Sequence, residues 1–141
     1  MATAEENHIR WMLAPETDEP PIPFSEFGIE RTQACVAAVF TLGIEKALGE
    51  NPPESDRIQD FIETARSRYA NAEALPPVKS EAVIRLAYED DSMIDGLSPD
   101  EIQRIQQLLG YASVQFLGLT GAAYDEFVRE AAEMVIEYVN E

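Results

Sequence analysis

The 141-residue sequence contains one cysteine and one histidine, and each shortage excludes a class of site. Cys35 has no second cysteine, so the chain forms neither an internal disulfide nor a cysteine-based zinc site. His8 alone cannot supply the two Glu-x-x-His motifs of a carboxylate-bridged di-iron bundle. We therefore predict no metal site. Cys35 lies in the apolar run 34–40 and is interpreted as a buried, unreactive thiol rather than a nucleophile.

Long apolar runs are also missing. No stretch of eighteen apolar residues occurs, and the first residues carry acids where an export signal would carry bases. We therefore expect no membrane-spanning segment and predict a cytoplasmic protein. Neither a GxGxxG nor a Walker-type loop is present, so no cofactor and no catalytic residue are predicted. A small enzyme using a Glu–Asp pair stays open as the weakest alternative, because 27 acids make accidental pairs common.

Positive charge is scarce: 10 Lys and Arg residues stand against 27 Asp and Glu, giving a formal net charge of −17. This balance argues against direct binding to nucleic acid or to an anionic membrane, because both depend on Lys and Arg. A charged partner should instead be basic. The alternative is that acidity only keeps the chain soluble or suits a high-salt cytoplasm, and net charge does not separate these readings.

The most acidic turn, AYEDDSMIDGLSPDE over residues 87–101, resembles a calcium-binding loop at first inspection. When Gly96 takes the sixth position of an EF-hand loop, Met93 and Ile102 fall on ligand positions three and twelve. A thioether and an aliphatic chain cannot complete a calcium site. We predict a helix boundary instead, because Ser-Pro-Asp-Glu at 98–101 combines an N-cap, a first-turn proline and a capping box.

Three Pro-Pro pairs separate segments whose apolar residues follow a helical period. The sequence therefore predicts an all-α protein, a single-domain bundle of about five helices with a short N-terminal helix or arm. Residues 1–24 are assigned to this arm and its proline-rich connector, and residues 25–141 to the helical bundle domain. A helix over 25–48 is expected to be central, because its apolar residues cover nearly every face.

The last predicted helix carries glutamates spaced four, three and four residues apart. This spacing places them in one row, opposite the predicted core face. The row consists of Glu126, Glu130, Glu133 and Glu137, and Glu141 continues it. Successive carboxylates lie about one helical turn, ~5.4 Å, apart, so the row could imitate a nucleic-acid backbone and bind a basic groove. The alternative is a solvated face, since glutamate favours helices.

The N-terminal arm offers a second candidate surface. Trp11 and Met12 lie in an apolar segment just before the proline-rich connector. An aromatic side chain on a tethered helix is typical of residues that fill a partner's pocket. Trp11 and Met12 are therefore candidate partner-binding residues. The alternative is that the arm folds back and Trp11 covers the end of the bundle.

These features together predict a non-enzymatic acidic binding protein that occupies a basic surface on a partner protein. It would act as an inhibitor, immunity protein, antitoxin or nucleic-acid mimic, and its partner would be a basic protein such as a nuclease or nucleic-acid-binding protein. No direct contact with nucleic acid or membrane is expected. The main alternative is a structural or assembly protein, such as a chaperone or scaffold subunit, that grips its partner through the apolar N-terminal arm. The sequence leaves the oligomeric state open.

Overall fold

The segments with apolar periodicity form α-helices, which confirms the all-α prediction. The structure is a computed structural model and describes residues 2–14, 19–68 and 74–140. Within these residues it contains seven helices and no strand. The helices are α1 (Ala4–Leu13), α2 (Phe24–Phe27), α3 (Ile29–Leu48), α4 (Ser55–Arg68), α5 (Pro77–Leu86), α6 (Pro99–Leu117) and α7 (Gly121–Val139).

The predicted number of helices, about five with an N-terminal arm, is too low. The helix predicted over 25–48 is divided at Gly28, which has φ 93° and ψ 144°. Glycine adopts a positive φ at little steric cost, so the chain can leave α2 after one turn and re-enter a helix at Ile29. The division lets α2 turn Phe27 into the core, where it is 1% exposed.

Helix α3 lies at the centre and separates two apolar cores, which agrees with its predicted position. On one side, Phe40 and Ile44 pack in a cluster with residues of α4, α5 and α6. On the other side, Val39 and Leu42 pack in a cluster with residues of α1, α2 and α7. Because one helix contributes to both clusters, loosening α3 would disturb the whole fold.

Small residues allow α3 and α6 to approach closely. A Cβ atom at Gly110 of α6 would lie 3.2 Å from Val39 and 3.3 Å from the backbone nitrogen of Phe40. A Cβ atom at Gly43 of α3 would overlap the hydroxyl of Ser113. A side chain at Gly43 therefore requires Ser113 to move, and one at Gly110 would be tightly packed against α3.

Local capping signals define both ends of α6, and the sequence predicts the first of them. The Ser98 hydroxyl accepts a hydrogen bond from the backbone N–H of Glu101, and the Glu101 carboxylate accepts one from the backbone N–H of Ser98, which forms the predicted capping box at the start of α6. Residues 87–97 form turns between α5 and α6, which confirms the helix boundary predicted in the acidic segment. At the other end of α6, Gly118 adopts the left-handed conformation with φ 62° and ψ 35°.

Helix α1 is folded back against α3 and α7. Its apolar side is buried in the second core, where Ile9 is 0% and Leu13 is 7% exposed. Two ion pairs hold its polar side: Arg10 lies 2.9 Å from Asp125 of α7, and Glu5 lies 2.6 Å from Arg31 of α3. Burial of Ile9 and Leu13 makes α1 part of the packed structure.

Candidate functional site

The predicted glutamate row lies on the solvent side of α7. We call the side chains of Glu126, Glu130, Glu133 and Glu137 the acidic face. Three of the four are exposed, and Glu130 is half-buried. The opposite side of the helix is buried and consists of Phe127, Val128, Ala131, Ala132 and Val135. The helical period therefore separates the carboxylates from the core. Glu141, the last member of the predicted row, lies outside the described residues.

Cations of the same chain neutralise the acidic face only in part. Arg129 lies 3.8 Å from Glu126, and Lys46 of α3 lies 3.7 Å from Glu130. Exposed pairs at such distances contribute little, typically about 0–1 kcal/mol. Glu133 and Glu137 form no ion pair within 4 Å with any described residue. The C-terminal half of the acidic face thus presents uncompensated negative charge.

Most other cations are paired with acids elsewhere in the fold. Lys79 contacts Glu101 at 2.7 Å and bridges α5 to α6. Hydrogen bonding to Lys79 is the main cause that lowers the pKa of Glu101. The pairs of Arg10 and Arg31 hold α1. Each of these pairs uses one positive and one negative charge, so the scarce positive charge is largely engaged while the net charge of −17 is unchanged.

Trp11 and Met12 point into two separate hollows beside α1. Trp11 is half-buried, with its ring centroid 5.6 Å from that of His8 and 5.8 Å from that of Phe24. It lines an open depression of about 480 Å³ together with Tyr124 of α7. Met12 lines a different cleft of about 380 Å³ between α1, α3 and α6. No glutamate of the acidic face lines either hollow. The two predicted binding surfaces, the acidic face and the surface at Trp11 and Met12, are therefore separate in the structure.

His8 is buried, although it belongs to the segment that the sequence assigns to an N-terminal arm. It is 1% exposed and stacks on Phe27 with ring centroids 4.4 Å apart and planes inclined by 10°. The guanidinium carbon of Arg31 lies 4.2 Å from the centroid of the Phe27 ring, so Phe27 contacts both a histidine and a guanidinium. Burial and then the charge of Arg31 lower the pKa of His8. The i,i+4 spacing of His8 and Met12 places them on one side of α1 but does not identify Phe27 as the contact.

A buried carboxylate, Glu81, joins α4 to α5 and was not singled out by the sequence. It is 7% exposed and accepts hydrogen bonds of 2.8 Å from both Ser55 and Gln59. Arg85 donates two further bonds, at 2.9 and 3.1 Å. Burial alone would raise the pKa of Glu81, but the hydrogen bonds outweigh it and the pKa is lowered. Every contact is satisfied within the fold, so this cluster is a structural clamp.

The single thiol is placed where it cannot react readily. Cys35 is 0% exposed, as the apolar run predicts. Burial, reinforced by the charge of Glu5, raises the pKa of Cys35 to about 12. The thiolate is the nucleophilic form of cysteine, so a thiol with this pKa stays protonated at neutral pH.

Comparisons with protein-family models, with curated proteins and with solved structures found no match. Across the described ranges, no group of three or more His, Cys, Asp or Glu side chains is arranged to hold a metal ion. In the same part of the chain, no helix combines the length and apolar character that crossing a bilayer requires. The functional proposals therefore depend on the charge distribution and on the hollows.

Proposed function

We propose that this chain is a non-enzymatic, cytoplasmic acidic binding protein that occupies a basic surface on a partner protein. The observation that carries the proposal is the acidic face, a row of four glutamates on the solvent side of one helix. Inhibitors, immunity proteins, antitoxins and nucleic-acid mimics all act by such occupancy. The partner would be a nuclease or a nucleic-acid-binding protein, because such proteins display Lys and Arg in a groove that fits a regular row of anions.

Association would begin with electrostatic steering. A net charge of −17 attracts a basic surface over roughly the Debye length, about 8 Å at physiological ionic strength. Complementary charge of this kind mainly raises the association rate and selects the partner. On contact, arginines of the partner would bind Glu133 and Glu137, which have no ion pair among the described residues. Glu126 and Glu130 would exchange long internal pairs of 3.8 and 3.7 Å for shorter ones.

Replacing carboxylates by amides tests whether the acidic face is the binding site. The test variant carries Glu126→Gln, Glu133→Gln and Glu137→Gln. Its matched control carries three replacements away from α7: Asp60→Asn, Glu63→Gln and Glu89→Gln. Both variants lose three negative charges from exposed residues, and each loses one i,i+3 ion pair of 3.8 Å. Net charge is therefore equal, and only the position of the charge differs.

The parent chain is immobilised, and the proteins that it captures from the native host are identified by mass spectrometry. Each captured protein is then purified and titrated against the parent, the α7 variant and the control variant at several salt concentrations. We expect basic partners whose affinity falls as salt rises. The α7 variant should bind at least about tenfold more weakly than the control variant, from the loss of a few charge-assisted contacts. Equal weakening of both variants would contradict the role of the acidic face, and binding indifferent to salt would contradict the electrostatic mechanism.

The alternative, an assembly protein that uses the apolar N-terminal arm, has less support. Ile9 and Leu13 of α1 are buried in the chain's own core and are not free to enter a partner. Trp11 and Met12 keep part of their surface outside the core, and Trp11, as the aromatic residue, is the first of the two to test for such a role. Trp11→Ala should leave partner binding nearly unchanged if the acidic face is the site, and should abolish it if the arm is.

A further inference from the structure

The cleft between α1, α3 and α6 is built like a small-molecule site. Its volume of about 380 Å³ falls within the range of roughly 300–1,000 Å³ typical of such sites. Met12 and Leu13 of α1 and Val36 and Val39 of α3 provide apolar walls. These side chains can contact an aliphatic chain without leaving any buried polar group unpaired.

Helix α6 supplies the polar wall of the cleft. Arg104, Gln107 and Tyr111 follow one another at i, i+3 and i+7, so they lie on the same face of the helix, and all three line the cleft. Together they offer guanidinium, amide and hydroxyl donors. Gly110 lies between them against Val39, and its missing side chain keeps α6 close to the apolar wall.

Arg104 is the cation of this wall. It is exposed and forms no ion pair within 4 Å with any residue in the described ranges. Glu101, one turn earlier, is bound to Lys79 at 2.7 Å. In a chain where most cations are paired internally, a guanidinium left at the edge of an apolar cleft indicates an anionic group on the ligand.

We propose that this cleft binds a monocarboxylic acid with a medium-length aliphatic chain. The carboxylate contacts Arg104, with Gln107 and Tyr111 as further donors, and the chain lies against Met12 and Val36. The negative field of the distant acids does not prevent this, because salt screens it more strongly than a direct contact. No glutamate of the acidic face lines the cleft, so the inference is independent of the proposed function.

A series of carboxylates with increasing chain length, together with an alcohol, tests both the apolar wall and the polar wall of the cleft. Hexanoate, octanoate and decanoate are titrated below their micelle concentrations, with calorimetry for affinity and NMR for location. Affinity should rise about fourfold per added methylene until the cleft is filled, equivalent to about 0.8 kcal/mol for each buried CH₂. The methyl signals of Met12, Leu13, Val36 and Val39 should shift most. Octanol should bind about fivefold more weakly than octanoate, since an exposed guanidinium contributes a modest charge-assisted bond.

Two substitutions on the surface of α6 test the site without disturbing the core. Arg104→Gln should reduce octanoate binding to the level of octanol and leave octanol unchanged. Gln107→Trp should block the cleft, whereas Gln115→Trp, an exposed position on the same helix outside the cleft, should not. The proposal is overturned if octanoate and octanol bind the parent equally, if Gln107→Trp binds octanoate as well as Gln115→Trp does, or if no member of the series binds.

Discussion

Replacing Gly43 by alanine sets local helix propensity against tertiary packing. Alanine is favoured over glycine in the interior of a helix by about 1 kcal/mol. Against this, a Cβ at Gly43 would overlap the hydroxyl of Ser113 and lie 3.0 Å from the Cβ of Ser113. The two effects have opposite signs, so the measured stability of Gly43→Ala shows which one governs the contact between α3 and α6.

The magnitude follows from the surroundings of Ser113. Its side chain is 0% exposed and donates a 2.7 Å hydrogen bond to the carbonyl of Gly110. Turning the hydroxyl away leaves a buried polar group unpaired, which costs about 1–3 kcal/mol. Overpacking adds about 1–3 kcal/mol. After the propensity gain is subtracted, the free energy of unfolding should fall by about 1–5 kcal/mol.

Urea denaturation followed by circular dichroism measures this change. The series contains the parent, Gly43→Ala, Ser113→Ala and the double variant. Removing the Ser113 hydroxyl relieves the overlap but leaves the Cβ contact, so the double variant should recover part of the loss, with a coupling energy of about 1–2 kcal/mol. A Gly43→Ala protein as stable as the parent, or one whose effect simply adds to that of Ser113→Ala, would refute the packing argument.

Two further predictions concern buried titratable groups. Because burial and Arg31 lower the pKa of His8 from 6.5, the unfolded state binds a proton first as pH falls. The free energy of unfolding should therefore decrease below pH 6.5 by up to about 1.4 kcal/mol per pH unit, and this decrease should level off below the folded-state pKa of His8. Thermal denaturation should show this slope in the parent but not in His8→Phe. Glu81→Ala leaves three donors without their acceptor and should cost about 2–4 kcal/mol at neutral pH, against less than about 0.5 kcal/mol for the exposed Glu89→Ala. The lowered pKa means that the Glu81 contribution is present above pH 4.5 and lost at lower pH, so a urea-measured deficit of Glu81→Ala that persists unchanged in acid would contradict it.

Features set by neighbouring residues could be predicted from the sequence. The capping box of Ser98 and Glu101 involves residues three positions apart, and its geometry follows from the helix start itself. The exposure of Glu133 and Glu137 follows equally from the 3.6-residue period, although their binding role stays a prediction. In both cases the physical cause lies within about one turn of helix.

Features that depend on distant partners could not be predicted. His8 is buried in part by stacking on Phe27, a residue 19 positions later at the end of the short helix α2. Glu81 is tolerated in the interior because Ser55, 26 residues earlier, donates to it. The pattern of charges near either residue carries no information on these contacts. Sequence periodicity identifies faces of helices but not which faces meet.

The distribution of positive charge explains why specificity must come from geometry. Among the described residues, seven Lys and Arg side chains lie within 4 Å of an acid, so most of the positive charge is already compensated. The remaining surface is negative in many places, and net charge alone would attract any basic protein to any of them. A regular row is different, because a partner can bind several carboxylates at once only if its cations repeat at the same spacing. Two variants of equal net charge would therefore behave alike in non-specific attraction and differently in recognition, and α7 is where that difference should lie.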